Sequence, residues 1–156
     1  MMRALKDAGI EPLFNPGREA AMQKHCPSPG YYELRIEDIT NTQYMRDEMV
    51  DGMAVKVPTP YLRNLPPVQS RVIWMHRDPE EIMASLLRMY PKENFSRIYP
   101  VWPEGYYETT KAMRELIDDR KSASVVDVQY AEFLADPARV MSSLGVPLDG
   151  RAARAA

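Results

Sequence analysis

The sequence is short of several things. Its 156 residues include one cysteine, Cys26, and two histidines, His25 and His76. A single thiol closes no internal disulfide, so packing must hold the fold, and a reducing, cytoplasmic location is the expectation. His25 and Cys26 are neighbours. That spacing suits neither a two-ligand metal clip nor a nucleophile–base pair without distant help, and no metal is expected. Neither sign of charge dominates: 20 Lys and Arg stand against 22 Asp and Glu, a formal net charge of −2. Neither nucleic acid nor a membrane surface is therefore an expected partner. No apolar run approaches the roughly 20 residues that a membrane-spanning helix needs. The opening Met1-Met2-Arg3-Ala4-Leu5-Lys6 lacks the apolar centre of a secretory signal.

What is present is ordinary for a globular chain. Hydrophobic residues make up 45% and charged residues 27%, and the length allows one domain with a core. That domain is expected over residues 1–150, with a disordered tail at 151–156. The prolines fall mostly between periodic segments and mark their ends. Residues 1–8 read as a helix, with Met1, Met2, Leu5 and Ala8 on one side and Gly9 as its stop. It opens without a cap or a preceding strand, which predicts further structure upstream. Residues 11–30, with Pro12, Pro16, Gly17, Pro27, Pro29 and Gly30, read mostly as loop, with a short helix at 18–24. Residues 41–49 read as a helix capped by Thr40 or Asn41.

Met53-Ala54-Val55-Lys56-Val57, bounded by Gly52 and Pro58, reads as a strand. A helical turn at 61–65 follows, ended by Pro66 and Pro67. Residues 71–76 are the second strand, 78–90 the helix after it, and 91–103 an irregular, aromatic-rich connection. Residues 104–120 are the longest helix, with Tyr106, Thr110, Met113, Leu116 or Ile117, and Arg120 at helical spacing. The third strand is 124–129. The last helix, 136–144, is stopped by Gly145 and Pro147. Strands alternating with helices predict an α/β class with a parallel sheet covered on both faces.

The chemistry concentrates in Arg71-Val72-Ile73-Trp74-Met75-His76-Arg77-Asp78-Pro79 and the Glu80 to Leu87 segment behind it. A buried strand ends in an arginine and turns directly into a helix, at the edge where open α/β sheets place their ligands. Asp78 is the expected N-cap, Pro79 the first helical residue, and Glu81 stands three residues after the cap. Free amides at such a helix start, beside the guanidinium of Arg77, suit a phosphate. An internal near-copy limits that reading. Asp136-Pro137-Ala138-Arg139-Val140-Met141-Ser142-Ser143-Leu144 repeats the pattern, with Ala135 in place of the arginine. The Asp-Pro start and the serine are thus general devices, and the strand ending in Arg77 is what sets the first copy apart. Arg77 read alone also fits a surface or ion-paired arginine, and Ser85 a small residue that lets helices approach.

These residues resemble a family. Val72 to Pro79, with Ser85 eight residues after Arg77, resembles the 3′-phosphate-binding segment of sulfotransferases. These enzymes take a sulfuryl group from 3′-phosphoadenosine 5′-phosphosulfate. Val55 to Pro66 is similar to the family's strand leading to the acceptor side. Val126 to Pro137 is similar to its late strand and acidic turn, residues 1–12 to the helix after its phosphate-binding loop, and Gly30-Tyr31-Tyr32-Glu33 to bacterial members. The resemblance implies a three-layer α/β sandwich, P-loop-like, with a short parallel sheet flanked by helices. It implies that Arg77 and Ser85 bind the donor, and that the acceptor is a hydroxyl or an amine. The family's first strand and 5′-phosphosulfate loop would precede residue 1, so an N-terminally truncated domain is expected, with doubtful activity of its own. Self-association through an incomplete sheet is then expected. Pro58 stands where many members place a catalytic histidine, two residues after the position of Lys56.

Two residues are left to serve the reacting end. Lys56 would face the sulfuryl group, against the alternative of a solvated lysine at a strand end. Glu33 would take the acceptor's proton, against the alternative of a surface glutamate in a loop. His76 reads more readily as a hydrogen-bonded, half-buried residue facing a helix than as a base. Tyr31, Tyr32, Trp102, Tyr106 and Tyr107 fit an acceptor or adenine pocket and core packing equally well. A different class of function stays open: a non-catalytic remnant that acts as a nucleotide-binding or protein-interaction module.

Overall fold

A computed structural model describes residues 1–25, 32–49, 51–89 and 104–146. The connection expected at 91–103, with Trp102, lies outside them, as do Cys26, Tyr31, Pro147 and the tail. The described elements are helix α1 (Met2–Asp7), strand β1 (Glu11–Leu13), α2 (Pro16–His25), α3 (Ile36–Thr40), α4 (Thr42–Glu48), β2 (Met53–Val55) and a 3₁₀ helix (Thr59–Asn64). Then come β3 (Ser70–His76), α5 (Pro79–Met89), α6 (Glu104–Asp118), β4 (Ala123–Gln129), α7 (Tyr130–Ala135) and α8 (Pro137–Ser143).

Four strands form two parallel pairs, β1 with β2 and β3 with β4. The expectation of three strands missed β1. Glu11 to Leu13 sits among prolines and includes Pro12, which cannot donate to a ladder, so the segment reads as loop. Its place is set by tertiary packing: Pro12 and Leu13 are buried, and Leu13 joins a core cluster with Leu34, Ile39 and Met45. The helix expected at 18–24 is longer than predicted, and α3 and α7 were not foreseen. All are short or weakly amphipathic. Helix α4 has the cap expected of it, with Asn41 Oδ1 accepting from the Tyr44 amide at 3.1 Å. Gly9 and Gly145, the two expected helix stops, have φ of +85° and +68°, where a side chain would be strained.

The β3–β4 ladder runs from Ser70 opposite Ala123 to His76 opposite Gln129. Alternation along it divides the apolar residues between two layers. On one face Val72, Trp74 and Val125 pack with Leu62 of the 3₁₀ helix and with Met113 and Ile117 of α6. On the other, Ile73, Met75, Val126 and Val128 meet Leu5 of α1, Phe133 of α7, and Val140 and Met141 of α8. Ala54 of β2 joins that second cluster, while Val57 and Leu65 belong to the first. The two pairs therefore share cores above and below without a hydrogen-bonded ladder between β2 and β3 among the described residues. This is an α/β fold with short parallel strands flanked by helices.

Candidate functional site

Parallel pairing brings chemistry to the carboxyl ends of the strands. Because His76 is in register with Gln129, the next residues, Arg77 and Tyr130, must also be neighbours. The Arg77 guanidinium stands over the Tyr130 ring, 4.7 Å from its centroid, and its Nε lies 3.3 Å from Glu81 Oε2. His76, Arg77, Asp78, Glu81, Gln129, Tyr130 and Ala131 line a cavity of about 380 Å³. The Glu81 side chain is largely exposed, and such an i,i+4 ion pair contributes only about 0.3–0.5 kcal/mol. An incoming anion can displace it. The terminal guanidinium nitrogens hydrogen-bond to no described residue.

One expectation needs correcting. Helix α5 does not offer free amides to an anion. Pro79 has no N–H, and Asp78 Oδ1 accepts from the amides of Glu80 (2.7 Å) and Glu81 (3.3 Å). The Ile82 amide bonds the Asp78 carbonyl at 3.0 Å. The capping aspartate has taken the donors that a phosphate would need. The same happens in the near-copy, where Asp136 Oδ1 accepts from the Arg139 amide at 2.9 Å. An anion in this cavity would therefore have to be held by side chains. Ser85 lies one turn beyond Glu81 on the same side of α5 but does not line the cavity.

Beside the cavity is a charged cluster that the sequence did not announce. His76 Nε2 lies 2.6 Å from Asp127 Oδ1. Arg114 of α6 bonds both oxygens of Asp127 and both of Asp118, and its guanidinium covers Trp74 at 5.4 Å. The bonds from Arg114, and then the one from His76, lower the Asp127 carboxyl pKa to about 2. Those same bonds from Asp127 and Asp118 hold the Arg114 guanidinium more firmly protonated than usual.

The second centre joins the two residues expected at the reacting end. Glu33 forms an isolated parallel bridge with Lys56 just past β2, and its carbonyl accepts from the Asn15 amide at 3.1 Å. Backbone pairing thus sets both residues at one strand end. Lys56 Nζ reaches Glu33 Oε1 at 2.6 Å, and Arg18 of α2 stands 3.6 Å from Glu33 Oε2. Glu33 is neither a lone surface glutamate nor Lys56 a merely solvated lysine. Tyr32, just before Glu33, holds φ of +47° and donates its amide to Glu19 Oε2 at 2.7 Å. Its ring meets Phe14 edge-on at 5.4 Å. Tyr106 and Tyr107, offered as pocket residues, pack edge to face at 5.8 Å and do not line the cavity.

The supporting residues Asn15, Arg18, Gln129 and Tyr130 escaped sequence reasoning. Tyr130 was within reach, because pairing the two strands in parallel register places it beside Arg77. Among the described residues no helix is long and apolar enough to cross a membrane.

With this geometry in place, comparison with known proteins is informative. A family model described as the sulfotransferase family matches residues 61–149, more than half of the chain. The match includes Arg77, Ser85, Asp127 and Tyr130, and begins after Glu33 and Lys56. No match is found among curated proteins or solved structures.

Proposed function

The chain belongs to the sulfotransferase family, and on that premise we propose that it binds 3′-phosphoadenosine 5′-phosphosulfate and moves the sulfuryl group to a hydroxyl or amine. The observation that carries this reading is the cavity at the β3–α5 junction. There Arg77 rests on Tyr130, and its terminal nitrogens hydrogen-bond to no described residue. A guanidinium presents two parallel N–H donors to a phosphate, and Arg77 would grip the donor's 3′-phosphate. Ser85 completes the grip when the phosphate lies along the flank of α5 rather than at its capped tip.

At the other end, the acceptor oxygen or nitrogen attacks sulfur in line. The bond from sulfur to the bridging oxygen breaks, and its electron pair leaves with the nucleotide phosphate. Lys56 balances the charge growing on that oxygen. Glu33 takes the acceptor's proton once an oxygen exchanges Lys56 for the acceptor. The pairing at 2.6 Å keeps both groups at one place, and most of the rate would come from positioning.

The test is a melting experiment with the desulfated donor, adenosine 3′,5′-bisphosphate. At about a hundredfold excess over Kd, binding adds about 2.7 kcal/mol, and the melting temperature should rise by several degrees. Arg77→Ala should abolish the rise; no rise in the parent protein refutes the proposal. Binding without sulfuryl release to any acceptor would identify the non-catalytic nucleotide-binding module instead.

A further inference from the structure

A dianion in the Arg77 cavity would meet a poorly cationic wall. The amides of α5 are taken by Asp78, the Asp78 and Glu81 carboxylates line the space, and Arg77 gives its Nε to Glu81. One further lining residue can become a cation, His76. Resting on the reading of this cavity as a phosphate site, we propose that His76 is a second, protonatable anion ligand, so that phosphate affinity rises as the pH falls through the imidazole range.

The bond to Asp127 leaves one ring nitrogen for this. Nε2 lies 2.6 Å from Asp127 Oδ1. That carboxylate is held ionised by Arg114 and can only accept, so Nε2 keeps its proton. In the neutral ring Nδ1 is therefore a bare lone pair, which repels a phosphate oxygen. In the protonated ring it is an N–H donor carrying positive charge. No described residue hydrogen-bonds Nδ1. The charged and titratable groups around the ring are Asp127 from β4, Arg114 and behind it Asp118 from α6, Asp78 with Glu81 of α5, Arg77, and Tyr130 from α7. Arg114 is shared between Asp118 and Asp127 and stays charged.

The experiment measures Kd for adenosine 3′,5′-bisphosphate by calorimetry at about pH 5.5 and about pH 8, on either side of the imidazole's ordinary value. Parent and His76→Gln proteins are compared, since glutamine still offers Asp127 a donor. The ligand's own ionisation cancels in the ratio of the two proteins. One charge gained beside the phosphate should make the parent bind on the order of fivefold tighter than the variant at the lower pH, and no tighter at the higher. By reciprocity, the ligand should raise the midpoint of the His76 proton resonance by about 0.7 pH unit. His25, the other histidine, serves as the reference. A ratio that does not change with pH, or a His76 midpoint that ignores the ligand, overturns the proposal while leaving the Arg77 site standing. Absence of binding by the parent at both pH values takes down the site itself and this proposal with it.

Discussion

Asp78 and Asp136 hold the same place in two copies of one helix start, yet only Asp78 lines the cavity. Replacing each by asparagine separates capping from charge. Asparagine caps as well as aspartate does, and the side-chain oxygen still accepts from the amides of Glu80 and Glu81, or of Arg139. Each variant should lose about 0.5 kcal/mol of charge–dipole stabilisation, and by similar amounts. Binding should tell them apart. A carboxylate roughly 6 Å from a dianionic phosphate costs about 1.4 kcal/mol in a water-like medium, and physiological salt roughly halves that. Asp78→Asn should therefore bind adenosine 3′,5′-bisphosphate about threefold tighter than the parent, rising toward tenfold at low salt. Asp136→Asn should bind like the parent. Denaturant melts and calorimetry on the three proteins, at two salt concentrations, suffice. If Asp78→Asn binds no tighter than Asp136→Asn, or its advantage does not grow as salt is removed, the phosphate does not sit in this cavity.

Two further outcomes are expected. Lys56→Met and Glu33→Gln should each cost only about 1 kcal/mol of stability, because the pair is partly open to solvent. The rate of sulfuryl transfer should fall by about 10²–10³ for the lysine and 10²–10⁴ for the glutamate; wild-type rates in either variant would remove that residue from the mechanism. β2 and β3 each keep an edge that pairs with no described strand, and such edges recruit other strands, so light scattering should find dimers or larger species. A monodisperse monomer at high concentration would count against this.

The legible part of the fold was the part written locally. β3 is a β-branched, apolar run, α6 a long amphipathic repeat, and α4, α5 and α8 have capping side chains in the expected places. Each signal lies within a few residues of what it specifies. β1 was missed for the opposite reason. Pro12 speaks against a strand, and what holds Glu11 to Leu13 extended is parallel pairing with β2, about 40 residues away in the chain. Parallel partners are far apart by necessity, so no window along the chain can show them. The Asp127–Arg114–His76 cluster is hidden in the same way, because its members come from three elements.

The site divides along the same line. Strand followed by Arg77 is a local fact, and it was readable. Whether the helix behind it offers amides is also local, but two local rules competed for the same donors. A capping aspartate and an anion both want the N–H groups of the first turn, and Asp78 is covalently in place, whereas a ligand must arrive. The better the cap, the worse the anion site at the helix tip. An Asp-Pro start therefore argues for a well-formed helix and against a phosphate bound by its amides, and the two copies in this chain behave alike in that respect. What distinguishes the first copy is its position after β3. Its arginine is delivered onto Tyr130 of the neighbouring strand's continuation, and a histidine is pinned by Asp127 beside it. The proposed phosphate recognition is thus tied to the β3–β4 register, and any change that slips that register by one residue should abolish phosphate binding while leaving both helix caps intact.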